Sequence, residues 1–244
     1  MRSISPLIVA LVLGISAQSQ VLFEESAVAL GIDEIRDISD GTGVSFVDFD
    51  NDGWDDITVC TNAGEPVRFY KNIEGSFAEI SLDLVDPLIA SKSVSWVDFD
   101  NDGDKDLFVA SETAPNTFYR NDNFSFVDIT AEAGLPTTNV FTNSASWGDY
   151  DNDGLLDVFL ANRDLAQVEV NMLFKNNGDG TFTNVNLESN IGNRSVLSFQ
   201  GTFYDINNDG QMELYLINDR LITKNVMYKN NGSGVFSDIS FFSG

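Results

Sequence analysis

Four copies of one acidic phrase constrain this chain more than any other feature: DFDNDGWDD from Asp48, DFDNDGDKD from Asp98, DYDNDGLLD from Asp149 and DINNDGQME from Asp205. Each puts an oxygen-bearing side chain at positions 1, 3, 5 and 9 and a glycine at position 6, then runs into a short apolar stretch. Calcium takes roughly six to eight oxygen ligands, so a short loop must curl around it, turning alternate side chains inward and lending a backbone carbonyl near position 7. Gly53, Gly103, Gly154 and Gly210 supply the turn, because a residue without Cβ adopts positive φ at little cost. Carboxylates crowded this closely raise one another's pKa unless a cation stands between them.

A single DxDxDG string would say little, since acidic glycine turns are common at the ends of hairpins. Four evenly spaced copies, each closed by an acid, point to metal. The fourth is the poorest, because Asn207 replaces an acid and Glu213 ends the loop. Zinc and copper are disfavoured by the donor set: the chain has no His and one Cys, whereas those ions prefer imidazole and thiolate. Magnesium dehydrates reluctantly and tends to keep its water. The formal net charge is −25, and the four loops hold 17 of the 38 acids. Four Ca²⁺ would cancel about eight of these charges, and the rest still opposes binding to nucleic acid or anionic membrane.

Met1 and Arg2 precede the apolar run PLIVALVLGI, Pro6 to Ile15, and then SAQSQ. This pattern predicts a secretory signal peptide over residues 1–19, cut near Ala17 or Ser19. Ten apolar residues are too few to span a bilayer, so no membrane insertion is expected after cleavage. The address is secreted, extracellular or cell-surface, with the periplasm as the bacterial equivalent, and millimolar calcium there suits weak sites. Cys60, the lone cysteine, lies in the apolar run ITVC and reads as a small buried hydrophobe.

The acidic phrase recurs at intervals of 50, 51 and 56 residues, and every unit repeats four strand-like runs. One enters the loop (VSFVDFD, VSWVDFD, SASWGDYD, GTFYDIN) and one leaves it (DITVCT, DLFVAS, DVFLAN, ELYLIN). A third ends in a basic residue and Asn (RFYKN, TFYRN, MLFKN, VMYKN), and a fourth follows a turn (SFAEIS, FSFVDIT, GTFTNV, GVFSDIS). These are β-branched and aromatic, bounded by turn residues. The third and fourth are joined by NNGDG and NNGSG in the later units, as tight hairpins require. The prediction is an all-β fold over residues 20–244, a β-propeller of four four-stranded antiparallel blades, with repeats at about 44–80, 94–130, 144–187 and 201–240. Strands rather than EF-hand helices are expected after position 9, because no 3.6-residue period follows it. FEESAVALGI, Phe23 to Ile32, matches FVDITAEAGL, Phe126 to Leu135, and reads as an extra outer strand. Five outer strands for four sets of inner ones predict an incomplete or open ring, either part of a larger propeller or a short relative whose edges a partner covers, with open blade edges that invite self-association.

These residues carry a resemblance. The units resemble FG-GAP repeats of the VCBS type, as in the integrin α-subunit propeller. The combination of FVDITAEAGL, the DxDNDGxxD loops and LFKNNGDGTF is similar to the propeller of cartilage acidic protein and its bacterial ASPIC/UnbV-type relatives, over nearly everything after the signal peptide. The resemblance implies calcium between the first and second strands of each blade, on the face opposite the usual ligand-binding surface. Carried over by position, the metal ligands are Asp48, Asp50, Asp52 and Asp56; Asp98, Asp100, Asp102 and Asp106; Asp149, Asp151, Asp153 and Asp157; and Asp205, Asn207, Asp209 and Glu213. The position-7 carbonyls would be those of Trp54, Asp104, Leu155 and Gln211. Family propellers typically have seven blades and the ASPIC-type relatives a further C-terminal domain; neither is seen here.

The expected function is that of a secreted calcium-binding module for protein or glycan interaction or adhesion, with up to four structural Ca²⁺. Recognition would lie in the long connections Ser81 to Ser93, Thr130 to Ser146 and Asn186 to Gln200, with Arg163, Asp164, Arg194 and Arg220 as candidate contacts. A carbohydrate-cleaving propeller is the competing class. General acid–base work at neutral pH usually recruits His, and the clustered acids have metal spacing, so no catalysis is expected. A purely structural segment of a longer surface protein is the third reading.

Overall fold

A computed structural model describes residues 25–32, 43–85, 88–166, 168–192, 197–219 and 224–240. The expected signal peptide, Arg194 and Arg220 lie outside these residues. Among the described residues, sixteen strands form four antiparallel sheets, each a simple meander. The first blade contains β1 (Val44–Val47), β2 (Asp56–Val59), β3 (Arg68–Ile73) and β4 (Ser76–Ile80). The second has β5 (Ser91–Val97), β6 (Asp106–Ser111), β7 (Thr117–Asp122) and β8 (Ser125–Asp128). The third has β9 (Thr142–Gly148), β10 (Asp157–Asn162), β11 (Met172–Asn176) and β12 (Phe182–Asn184), followed by the single helical turn α1 (Asn186–Ser189). The fourth has β13 (Ser198–Tyr204), β14 (Glu213–Asn218), β15 (Val226–Asn230) and β16 (Phe236–Asp238).

Strands β1, β5, β9 and β13 lie side by side and the sheets stack face to face, in an open propeller-like arrangement with no closed ring among the described residues. The inner strands of the later blades begin earlier than the sequence suggested. Ser91–Ser93, Thr142–Ser146 and Ser198–Gln200 belong to β5, β9 and β13 rather than to loops, and each is accommodated by a register shift near the strand's start or its partner's end.

Period-two alternation explains how the stack holds together. Each blade is apolar on both faces, so three cores form between blades rather than within them. Two residues before each acidic loop stands an aromatic ring that packs on the preceding blade: Trp96 on the first, Trp147 on the second, Phe203 on the third. Trp96 stacks on Phe49 at 4.8 Å, and its indole N–H donates to Thr58 Oγ1 at 2.9 Å. The residue matching Thr58 in the second blade is Phe108, which offers no acceptor, and the buried Trp147 Nε1 is left without a partner. Each fully buried ring contributes about 1.5–3 kcal/mol of hydrophobic stabilisation.

The stretch expected as a fifth outer strand is otherwise. Its described part, from residue 25, is a 3₁₀ turn over Val28–Leu30 closing on Gly31 at φ 90°, and the strand-like residues before it lie outside the described ones. Its full counterpart shows why: β8 ends at Asp128, and residues 130–134 turn to Gly134 at φ 75°. Asn190 takes the same left-handed conformation in the third blade, at φ 61°. These turns sit on the next outer strand. A Cβ at Gly31 would come within 2.1 Å of the Phe77 carbonyl, Phe182 N–H donates to Ala133 O, and the Asn190 amide donates to Phe236 O.

Candidate metal centres

The hairpin register builds each acidic loop. Val47 pairs with Asp56, Val97 with Asp106, Gly148 with Asp157 and Tyr204 with Glu213, so the position-9 acid opens the outgoing strand opposite the residue that precedes position 1. All four position-9 acids are fully buried. Each clamps its loop: Asp56, Asp106 and Asp157 accept the position-2 amides of Phe49, Phe99 and Tyr150 at 3.2 Å. Their second oxygens accept the third-strand amides of Asn72, Asn121 and Asn176 at 2.7–2.9 Å. Glu213 accepts the Ile206 amide at 3.2 Å.

The remaining positions shape the curl. The position-1 carboxylates of Asp48, Asp98, Asp149 and Asp205 each accept two amides, from positions 5 and 6, at 2.8–3.1 Å. The position-5 carboxylates of Asp52, Asp102, Asp153 and Asp209 accept the position-7 amides of Trp54, Asp104, Leu155 and Gln211. The position-6 glycines have φ between 85° and 98°. Position 4, always Asn, carries φ of 59–60° as well, a role the sequence reading missed although the same residue stands there four times. Asn tolerates this region better than other residues with a Cβ.

In three loops the geometry converges on a cation-sized cluster. Asp48, Asp50 and Asp56, then Asp98, Asp100 and Asp106, then Asp149, Asp151 and Asp157 each bring one carboxylate oxygen to within 4.8 Å of the others. Positions 1, 3 and 9 thus meet, and position 5 stands outside the cluster. The fourth loop makes no acid triad, as its amide at position 3 foreshadowed; Asn207 Nδ2 reaches Glu213 Oε1 only at 3.5 Å. The residues fit a hard cation: every donor is oxygen, and Asp151 Oδ1 is buried without a hydrogen-bond partner. Burial pushes Asp106 and Asp157 up to about 7, against the backbone amides that hold them down, and the neighbouring carboxylates add to the rise. Asp56 and Asp100 move in the same direction for the same first reason.

Two loops also hold a cation of the protein's own. Lys71 on β3 pairs with Asp50 and, at 3.0 Å, with Asp52; Lys175 on β11 pairs with Asp151 and, at 2.7 Å, with Asp153. Hydrogen bonds to Asp50 and Asp52 raise the Lys71 pKa. In the second blade the equivalent basic residue, Arg120, turns to Asp122 at 3.0 Å. The basic residue closing every third strand was visible in the sequence, but its reach into the acids was not.

At the other end of the same strands lies a polar cavity of about 490 Å³ lined by Lys92, Glu112, Asn143, Arg163 and Phe199 among others. Strands of six or seven residues at roughly 3.3 Å per residue put it about 20 Å from the acidic loops. Arg163 pairs with Glu112 at 3.1 Å and Asp219 at 3.3 Å and lies 4.9 Å from the Phe199 ring centroid, while Lys92 pairs with Glu112 at 3.3 Å. The Arg163 Nε is buried without an acceptor. Asp164, its expected companion, is buried instead and accepts the amides of Ala166, Val168 and Glu169, which makes it a loop brace.

Comparison with known proteins agrees with the repeat. An FG-GAP-like repeat model matches three times, over residues 48–109, 98–160 and 149–216, each match running from one acidic loop into the next blade. The chain belongs to the FG-GAP-like repeat family. No curated protein sequence matches it. Among solved structures, an Agrocybe aegerita lectin described as recognising non-reducing terminal N-acetylglucosamine aligns at 20% identity with a TM-score of 0.48. The Photorhabdus luminescens Tc holotoxin pore aligns at 15% with a TM-score of 0.46. Each alignment covers 80% of this chain, but only 50% of the lectin chain and 9% of the toxin chain. This FG-GAP-repeat chain therefore spans about half the length of the first and a small part of the second. Among the described residues, no helix is long and apolar enough to cross a membrane.

Proposed function

We propose that this protein is a secreted, non-catalytic binding module whose blades are held in shape by calcium. The observation that carries the reading is the recurrence of one all-oxygen acid triad, within 4.8 Å, at the same hairpin of three successive blades. Bound there, calcium would neutralise carboxylates that burial otherwise drives toward protonation. Asp48, Asp50 and Asp56 and their counterparts would hold it, with Asp52, Asp102 and Asp153 and the position-7 carbonyls completing the shell. The fourth loop, with two acids and an amide at positions 1, 9 and 3, would bind most weakly.

Recognition is assigned to the opposite end, where the polar cavity around Arg163 draws residues from all four blades. Its one carboxylate, Glu112, is tied by two cations, which favours binding over acid–base chemistry. A ligand that binds only the folded state stabilises by RT ln(1 + [L]/Kd), about 1.4 kcal/mol per site at tenfold saturation. Melting followed by circular dichroism, with calorimetric titration, tests the metal. Millimolar Ca²⁺ should raise the melting temperature by several degrees over EDTA, equal Mg²⁺ should do far less, and Asp100→Ala should weaken the calcium response. An equal response to both ions would refute the assignment.

A further inference from the structure

The two ends of the stack are the two halves of a junction this chain already makes three times. On the first blade, Val44 and Phe46 stand at the positions of Val94 and Trp96 in the second. Val94 and Trp96 are each 8% exposed because the preceding blade covers them; Val44 is 67% and Phe46 62% exposed. On the fourth blade, Ile206 and Ile217 stand at the positions of Tyr150 and Ala161 in the third. Tyr150 is 4% and Ala161 0% exposed under the following blade, whereas Ile206 is 56% and Ile217 39% exposed.

The polar groups at the junctions are equally directional. The third-strand Asn of a later blade donates to the position-2 carbonyl of the blade before it: Asn176 to Phe99 O at 2.9 Å and Asn230 to Tyr150 O at 2.7 Å. The position-4 Asn of an earlier blade donates to the loop glycine of the next: Asn51 to Gly103 O at 2.9 Å and Asn152 to Gly210 O at 3.0 Å. The end blades carry the same groups, Asn72 and Gly53 on the first, Ile206 and Asn208 on the fourth. One end therefore offers what the other accepts, and neither is complementary to itself.

We infer that these faces pair head to tail between two copies of the chain, the inner strands of the fourth blade of each stacking on those of the first blade of the other, while the turn closing on Gly31 keeps the place on β4 that an outer-strand turn takes at the internal junctions. Asn72 of the second copy then donates to Ile206 O, and Asn208 donates to Gly53 O of the second copy, as at the junction of the third and fourth blades. A head-to-tail contact closes into a ring when its rotation allows and otherwise propagates as a filament. Two copies with four blades each make eight blades, within the range of about four to eight that propellers adopt. Bound cations favour the pairing, since each copy carries a net charge of −25.

Sedimentation velocity on the purified chain, from about 1 to 100 μM in physiological salt with millimolar calcium, reads this out. A species of twice the monomer mass is expected. Phe46→Asp and Ile217→Asp, on opposite ends, should each weaken it by tenfold or more while the far-ultraviolet spectrum and melting point stay near wild type. A folded monomer at the highest concentration overturns the inference. So does a dimer broken by one substitution and indifferent to the other, the mark of a self-complementary contact, and a ladder of larger masses overturns the ring. The pairing does not rest on the metal reading: a dimer that persists in EDTA leaves it intact, and a folded monomer in calcium sinks it alone.

Discussion

Replacing Asn176 by alanine should cost more stability than its size suggests, and more than the same change one repeat away. Asn176 is 1% exposed; its amide donates to Phe99 O in the previous blade and to Leu156 O at 3.2 Å in its own, while its oxygen accepts Gly178 N–H at 3.0 Å. Alanine leaves two carbonyls without donors, at about 1–3 kcal/mol for each buried group left unpaired, and a turn amide that water can reach. The expected loss is about 3–5 kcal/mol. Asn72, its equivalent in the first blade, donates to Asp55 O at 2.9 Å and accepts Gly75 N–H at 2.8 Å. Asp55 is exposed, so water replaces the lost donor and Asn72→Ala should cost about 1–2 kcal/mol. Urea denaturation in saturating calcium, at a protein concentration low enough to keep the chain monomeric, compares the two, and the melting point of Asn176→Ala should fall by roughly 6–20 °C for a chain of this size. Losses within about 0.5 kcal/mol of each other would refute the claim that the bond between blades carries the difference.

Trp96→Phe should cost about 1–3 kcal/mol beyond packing, because it strands Thr58 Oγ1, whereas Trp147→Phe removes an indole N–H that has no partner and should cost distinctly less; urea melts of both decide. Lys175→Met should tighten calcium binding at the third loop by a few-fold, as about 0.2–1 kcal/mol of competing ion pair is lost, while Arg120→Met, turned to Asp122, should change the second loop less; calorimetric titration checks both. The Cys60 thiol is fully buried, and burial pushes it up to about 11, so alkylation by iodoacetamide at pH 8 should be negligible in calcium and rapid in denaturant, rising with pH only as the thiolate forms; fast labelling of the folded chain at pH 8 would contradict that burial.

The blades were legible because their signals are local. VSWVDFDNDG shows alternation, a metal-type spacing and a turn within ten residues, and β5 and its loop form there as read. From residue 25 on, FEESAVALGI turns rather than running as a strand, because FVDITAEAGL, the template for it, is itself a strand that stops at Asp128 and a turn that carries on to Gly134; the residues that match the template's strand lie outside the described ones. The register of the two stretches was right, but alternation ends before the glycine does its work. What escaped the sequence was anything that spans blades. Asn230 meets Tyr150 O across 80 positions, and Asn51 meets Gly103 O across 52, contacts that depend on how one blade sits on the next. The Lys71 and Lys175 ion pairs escaped for a related reason: a flexible four-carbon stem reaches several acids, and its choice is fixed by packing that the order of residues does not encode.

One chain of bonds ties the acidic loops to the seams between blades. Asp157 accepts the backbone amides of Tyr150 and Asn176, so this carboxylate holds both the loop and the strand that carries Asn176. The Asn176 side chain then reaches Phe99 O, whose own amide is held by Asp106 of the second loop. Loop, third strand and neighbouring loop therefore share partners, and in a low-dielectric setting such linked bonds strengthen one another. A charge change at one cage is felt at the next blade before it is felt in the outer strands. Stripping a cation from the second or third loop should accordingly loosen the seam between those two blades as a unit. The earliest amides to lose protection from hydrogen exchange would then be those on Phe99, Tyr150 and Asn176, rather than those of the outermost strand of either blade.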